Sequence, residues 1–353
     1  MLSIEEIRAL GEPSAEFKPA SRPYNLPNFP LTHTSNDNQI LESGNPLLGA
    51  FTHETNIHEI RAAIAQSRQA QKKTEPSHLP YTEKDIKIPL RDGRTTTARI
   101  YTPRDVPADC CPGMIVFHGG GYMVGDLETE AHLCEWFTKL GGIAVNVDYR
   151  HAPEHVFPAA IEDAFDATNW TAGNAESLGI NPAKGLVIAG ESSGADMALV
   201  VAHLCKDSNM SPPLSGIYAA MPAGATRETV PEKYREAFFS MEQNSRAPVL
   251  YAESVDFVRK TYKADLTSPL LLPISFSDHT GLPKTYFQVC GLDPTRDCGL
   301  IMEQVFKDAG VHTKIDVYPG VPHAFWVLFT ELEATKKQNR DAETGLQWLL
   351  MKE

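Results

Sequence analysis

Gly190-Glu191-Ser192-Ser193-Gly194 follows an apolar run, Leu186 to Ala189, and precedes a helix-forming run, Ala195 to Cys205. Strand, tight turn and helix is the setting in which a G-x-S-x-G pattern lifts a serine hydroxyl clear of a sheet. Such a hydroxyl is a weak nucleophile until a nearby base takes its proton. Gly320-Val321-Pro322-His323-Ala324-Phe325 offers that base, just beyond a strand ending at Tyr318. A lone loop histidine is ordinarily only solvated, so His323 gains meaning from its companions. Gly291-Leu292-Asp293-Pro294-Thr295-Arg296-Asp297 follows a strand ending near Cys290 and supplies a carboxylate to orient an imidazole. Asp293 is the first choice and Asp297 its rival, with Arg296 able to pair with either. His118-Gly119-Gly120-Gly121-Tyr122 follows a strand ending at Phe117. Its three glycines let backbone N–H groups converge on a developing oxyanion. A phosphate loop fits poorly, because no Lys-Ser/Thr and no G-x-G-x-x-G helix start follow.

These pieces need elements to hold them. From Ile86 the chain reads as a hairpin turning at Asp92-Gly93, with a β-branched strand from Thr95 to Tyr101. Short apolar runs follow at 114–117, 143–147, 186–189, 217–221, 285–289 and 315–318, as expected of buried parallel strands. Helical stretches at 159–170, 195–205, 302–309 and 332–350 alternate with them. That alternation predicts a mostly parallel sheet covered by helices on both faces. Ser192, Asp293 and His323 then each follow a strand and converge on one edge of the sheet. Their order along the chain is that of the α/β-hydrolases, not of the chymotrypsin or subtilisin arrangements.

Residues 1–80 read differently. Ser3 and Glu6 make a capping box for a short helix, a Pro- and Asn-rich stretch runs to about residue 47, and Ile57, Ile60 and Ile64 mark a second amphipathic helix within Asn56 to Lys73, ended by Glu75-Pro76. The expected division is 1–80 as N-terminal cap helices and linker, 81–222 as the first part of the core, 223–265 as a cap insertion and 266–353 as the second part of the core. The insertion, with Tyr234, Phe238, Phe239, Tyr251, Phe257 and Tyr262, is expected to pack with the N-terminal helices as a cap. Tyr122 and Met123 are the substrate-binding candidates, with those aromatics as further ones. General burial statistics make most of them cap core instead.

His118-Gly119-Gly120-Gly121, Asp148-Tyr149-Arg150-His151-Ala152-Pro153-Glu154-His155, the Ser192 segment, Asp293 to Asp297 and Pro322 to Phe325 together resemble the hormone-sensitive-lipase-like carboxylesterases. The resemblance spans roughly residues 85–350. It implies an α/β-hydrolase fold with a helical cap built partly from the N-terminus. It also implies Ser192 as nucleophile, His323 as base, Asp293 as orienting acid, and Gly119, Gly120 and the Ser193 amide as oxyanion hole. Glu191, Ser193, Ala195, His151 and Thr295 depart from residues common in that family. Ser193 keeps a small side chain and its N–H, so the hole should survive.

His151-Ala152-Pro153-Glu154-His155 also matches the H-x-x-E-H pattern of zinc peptidases. Those ligands must share one helical face, and Pro153 disfavours the helix. The expected chemistry is serine-dependent hydrolysis of a small or medium acyl ester or lactone through an acyl-serine, which requires neither metal nor organic cofactor. Acyl transfer to an alcohol or amine, and amide hydrolysis, use the same residues. A non-catalytic small-molecule receptor is the alternative of another class, disfavoured because all three residues are present.

Of the 353 residues 42% are hydrophobic and 22% charged, ordinary for a globular protein, and the net charge of −13 argues against nucleic acid. No run approaches 18 apolar residues, so no membrane span is expected. Met1 to Glu6 lacks the pattern of a signal peptide, and six cysteines without C-x-x-C spacing read as reduced, mostly buried thiols. Together they predict a cytoplasmic protein acting on a small molecule, with a homodimer as its candidate assembly.

Overall fold

The computed structural model describes residues 1–20, 51, 55–71, 79–107 and 109–352. The Pro- and Asn-rich stretch beyond residue 20 and the expected helix stop at Glu75-Pro76 lie outside them, while Phe17–Ala20 at its start form one helical turn. Eight strands form one sheet: β1 (Tyr81–Pro89), β2 (Thr95–Pro103), β3 (Gly113–Phe117), β4 (Ile143–Asp148), β5 (Leu186–Glu191), β6 (Gly216–Ala220), β7 (Lys284–Leu292) and β8 (Thr313–Pro322). Their order across the sheet is β1-β2-β4-β3-β5-β6-β7-β8. β1 and β2 form the expected hairpin and β2 runs antiparallel to β4, while every later pairing is parallel. The fold is that of an α/β-hydrolase, with a mostly parallel sheet.

The principal helices are α1 (Ile4–Leu10), α2 (Ile57–Gln71), α3 (Ala131–Lys139), α4 (Ala159–Gly173), α5 (Ser193–Asp207), α6 (Ala252–Thr261), α7 (Arg296–Asp308) and α8 (Glu333–Leu350). Alternate side chains of each strand serve the two faces of the sheet. Ile115 and Phe117 of β3 join Ile188, Ile217 and Phe287 in a core under α4, α5 and α7. Met114 and Val116 join Val187, Ala189 and Tyr218 in a second core under α3 and α8. Both faces are apolar, so the central strands read as unbroken hydrophobic runs.

α1 opens on the reciprocal Ser3–Glu6 capping box. It packs against β8 and the turn at Glu232–Ala237, where Ile7 meets Ala237, Val289 and Leu300. α2 buries Ile57 and Ile64 in the same core as Tyr262. Arg61 pins α2 in place: Nε donates to the Met123 carbonyl at 2.7 Å, and the other nitrogens reach the Ala152 carbonyl and the Glu154 carboxylate. Segment 223–265 therefore meets the two N-terminal helices in separate places, α1 at the sheet edge and α2 near α6.

Two helices differ from the sequence reading. α3 was not anticipated, although Leu133, Trp136 and Phe137 follow a helical repeat and are buried. α7 begins at Arg296 rather than near residue 302, because Gly299 and the charged first turn resemble loop. Gly299 lies there for close packing: a Cβ would sit 2.7 Å from Val289. All six cysteines are free, five of them buried. No described helix is long and apolar enough to cross a membrane.

Candidate active site

Ser192 sits between β5 and α5 with φ 54° and ψ −122°, a strained backbone for a residue with a side chain. The flanking glycines make the turn feasible. A Cβ on Gly190 would lie 2.2 Å from the Gly194 carbonyl, and one on Gly194 would lie 2.0 Å from the Phe117 carbonyl oxygen. The serine is thus held at the carboxyl end of β5, beside the glycine loop that follows β3.

His323, directly after β8, spans the gap expected of it. Its Nε2 lies 3.0 Å from Ser192 Oγ, and its Nδ1 lies 2.6 Å from Asp293 Oδ2. Asp293 is itself fixed: Oδ1 accepts from Thr295 N at 2.8 Å and from Thr295 Oγ1 at 2.9 Å. Asn244 Nδ2 donates to the Asp293 backbone carbonyl at 2.8 Å. Asp297 has different company. Its carboxylate pairs with Arg296 Nε at 2.7 Å and accepts from the Phe239 and Ser240 amides. Both members of this ion pair are buried, so Asp297 ties the 223–265 segment to α7. Geometry alone separates the two aspartates that follow β7.

The glycine loop departs from expectation at one position. The Gly119 N–H donates to Glu130 Oε1 at 2.8 Å, so it does not point freely toward the space above Ser192. The Gly120 and Ser193 amides have no such partner among the described residues. Gly120 (φ 117°) tolerates no side chain, since a Cβ would fall 2.1 Å from the Val124 carbonyl oxygen. Glu130 is the feature that sequence reasoning missed. It is buried and its Oε2 has no hydrogen-bond partner among the described residues. Burial, reinforced by the nearby Glu191 charge, holds its carboxyl well above the usual range. Glu191 in turn meets His132 Nε2 at 3.1 Å and Trp326 Nε1 at 3.3 Å. A buried pair of acids thus lies behind the elbow. Its partners are far apart in sequence, and only an acid at the head of the unanticipated α3 could have signalled it.

A cavity of about 880 Å³ opens above Ser192, with Gly120, Ser193 and His323 on its floor. α2 contributes Ile64 and α6 contributes Val255 and Val258 to its walls. Tyr122 lines it, stacked on Tyr262 with ring centroids 4.3 Å apart. Met123 does not. It is wholly buried in the core, where its amide closes a turn onto the Gly120 carbonyl, so the expectation of a substrate contact fails there. Of the aromatics in 234–262, Tyr262 reaches the cavity, whereas Phe239 lies beneath the guanidinium groups of Arg8 and Arg296. Asp196, on the cavity wall, accepts from the Ala223 amide, and burial pushes its carboxyl up to about 8.

Residues 114–327 match the family model described as alpha/beta hydrolase fold. The chain is 37% identical over 298 residues to the versiconal hemiacetal acetate esterase of Dothistroma septosporum, covering 83% of this chain and 88% of that protein. An AB hydrolase superfamily protein of Schizosaccharomyces pombe is 36% identical over 301 residues, covering 84% and 88%. Among solved structures, a vibralactone cyclase superposes with TM-score 0.78 at 30% identity, covering 97% of this chain and 96% of its own. The chain belongs to the α/β-hydrolase fold family, among its hormone-sensitive-lipase-like carboxylesterases, and is a hydrolase of the carboxylesterase type.

Proposed function

We propose that the chain cleaves a small or medium acyl ester or lactone through an acyl-enzyme on Ser192. The observation that carries this reading is His323 bridging Ser192 Oγ and the Asp293 carboxylate at the floor of the cavity. In the first step Ser192 Oγ bonds to the ester carbonyl carbon while His323 Nε2 takes its proton. Asp293 keeps the Nδ1–H tautomer and stabilises the imidazolium. The Gly120 and Ser193 amides bind the oxyanion, each contributing about 3 kcal/mol. The imidazolium then protonates the departing alcohol. Water, deprotonated by His323, attacks the acyl-serine, and the carboxylic acid leaves as Ser192 recovers its proton. For a lactone the leaving alcohol remains part of the acyl group, and hydrolysis releases a hydroxy acid.

The cavity supports substrates of moderate size, since aliphatic and aromatic side chains make up most of its wall, with Arg68, Asp196 and Arg259 as polar groups above the floor. α2 and α6 act as the cap in this reading. The similarity to a cyclase favours one second reading, in which a hydroxyl of the bound acyl group replaces water as the acceptor. Ser192→Ala should lower hydrolysis of a short p-nitrophenyl ester by about 10⁴-fold or more, and intact-protein mass spectrometry should trap the acyl adduct on the native chain alone. Undiminished turnover in the variant would overturn the nucleophile assignment.

A further inference from the structure

A second constellation lies on the far side of the glycine loop. His118 directly follows β3 and is wholly buried, with its Nδ1 2.7 Å from the Gly119 carbonyl oxygen. A carbonyl only accepts, so Nδ1 carries the proton and Nε2 presents its lone pair. That lone pair faces His151 Nε2 at 3.3 Å. Asp148, the last residue of β4, brings a carboxylate into the same space, and the ligating atoms of the three residues all lie within 4.8 Å of one another. The Asp148 carboxylate has no hydrogen bond to any described residue. Tyr149 holds the His118 ring from its face, with centroids 4.3 Å apart, and donates to the His118 carbonyl at 2.7 Å.

We propose that His118, His151 and Asp148 form a binding site for one divalent first-row transition-metal ion of the Zn²⁺ type. Metal–nitrogen bonds of about 2.0–2.1 Å at a tetrahedral angle place two ligating nitrogens about 3.3–3.4 Å apart, which is the separation seen between the two Nε2 atoms. The carboxylate has to approach by no more than about 1.5 Å to complete a matching third bond. An Nδ1–H donated to a backbone carbonyl is the orienting bond that metal-ligating histidines use. Two imidazoles and a carboxylate suit a borderline divalent ion and leave a coordination position for water. The site differs from the H-x-x-E-H pairing, because residues 152–155 form a turn and the partner of His151 is His118, 33 residues away. No step of ester cleavage passes through it. The ion would clamp the residue that leads into the glycine loop.

The competing arrangement is a hydrogen bond from His151 Nε2–H to His118 Nε2, which needs no ion and no Asp148. Chelator-stripped full-length protein, titrated with Zn²⁺ by calorimetry and with Co²⁺ by visible absorption, separates the two. One ion per chain is expected, with affinity about 100-fold weaker in His151→Leu, at least 10-fold weaker in Asp148→Asn, and unchanged in Ser192→Ala. His151→Gln gives a second variant should the leucine fail to fold. Absence of stoichiometric uptake by the native chain overturns the proposal, as does uptake that survives both His151 substitutions undiminished.

Discussion

The loop after β7 and the loop after β3 face each other across Ser192 and are built on opposite plans. After β7 both carboxylates have their partners: Asp293 is held by Thr295, Asn244 and His323, and Asp297 by Arg296 and two amides, with Arg296 Nη2 the one buried polar atom there left unpaired among the described residues. After β3 the chain is glycine-rich. One amide is taken by Glu130, and Glu130 Oε2 and the Tyr122 hydroxyl are buried without partners. One side of the site is fixed before substrate arrives, whereas the other keeps unspent donors and acceptors. Fully satisfied buried networks rigidify the structure around them, whereas each unpaired buried polar group is costly.

Substitutions can break that contrast. The largest effect on turnover belongs to Asp293→Asn, which should lower kcat by about 10³–10⁴-fold with a near-native melting temperature, because it disturbs the imidazole tautomer and little else. Gly120→Ala should follow, costing about 10²–10³-fold in kcat, since the added methyl would displace the proposed oxyanion donor and force the Val124 carbonyl aside. Asp297→Asn should reverse the pattern of Asp293. Turnover per folded molecule should fall by less than about tenfold, while stability drops by about 3–5 kcal/mol as the buried Arg296 loses its counter-charge. Chemical denaturation beside steady-state kinetics would read both, and equal kinetic damage from the two aspartates would erase the distinction.

Glu130→Gln should have the smallest effect, one that appears mainly with pH. A carboxyl whose folded pKa is raised binds its proton more tightly than in the unfolded chain. Its contribution to stability is therefore lost as pH rises from the ordinary glutamate value toward the raised one. The variant should gain on the native protein in melting temperature between pH 5 and pH 9, by roughly a few degrees, with kcat within about tenfold. A gap that narrows with rising pH would contradict the buried acid pair.

Much of this was legible in the residues. Strands with apolar side chains on both faces announce themselves, so the sheet, the elbow and the strand-end positions of Ser192, Asp293 and His323 followed from pattern and spacing. The choice between Asp293 and Asp297 did not, because both stand just past the same strand and only the fold decides which faces an imidazole. The D-x-T spacing of Asp293 and Thr295 was the one local sign, as it allows a turn that fixes the carboxylate. Glu130 escaped because its bond to Gly119 crosses between a loop and a helix that the chain does not advertise. Met123 misled because adjacency to a lining residue says nothing about which way a side chain turns in a tight loop.

Arg61 carries a consequence for how this protein could change. A single planar fork reaches the Met123 carbonyl, the Ala152 carbonyl and the Glu154 carboxylate, seating α2 on two loops at once. A lysine offers one point charge where three directed donors are needed. Arg61 is thus one replaceable rivet in the cavity wall that α2 supplies: a single codon change there would alter that wall while leaving the sheet and Ser192, Asp293 and His323 untouched.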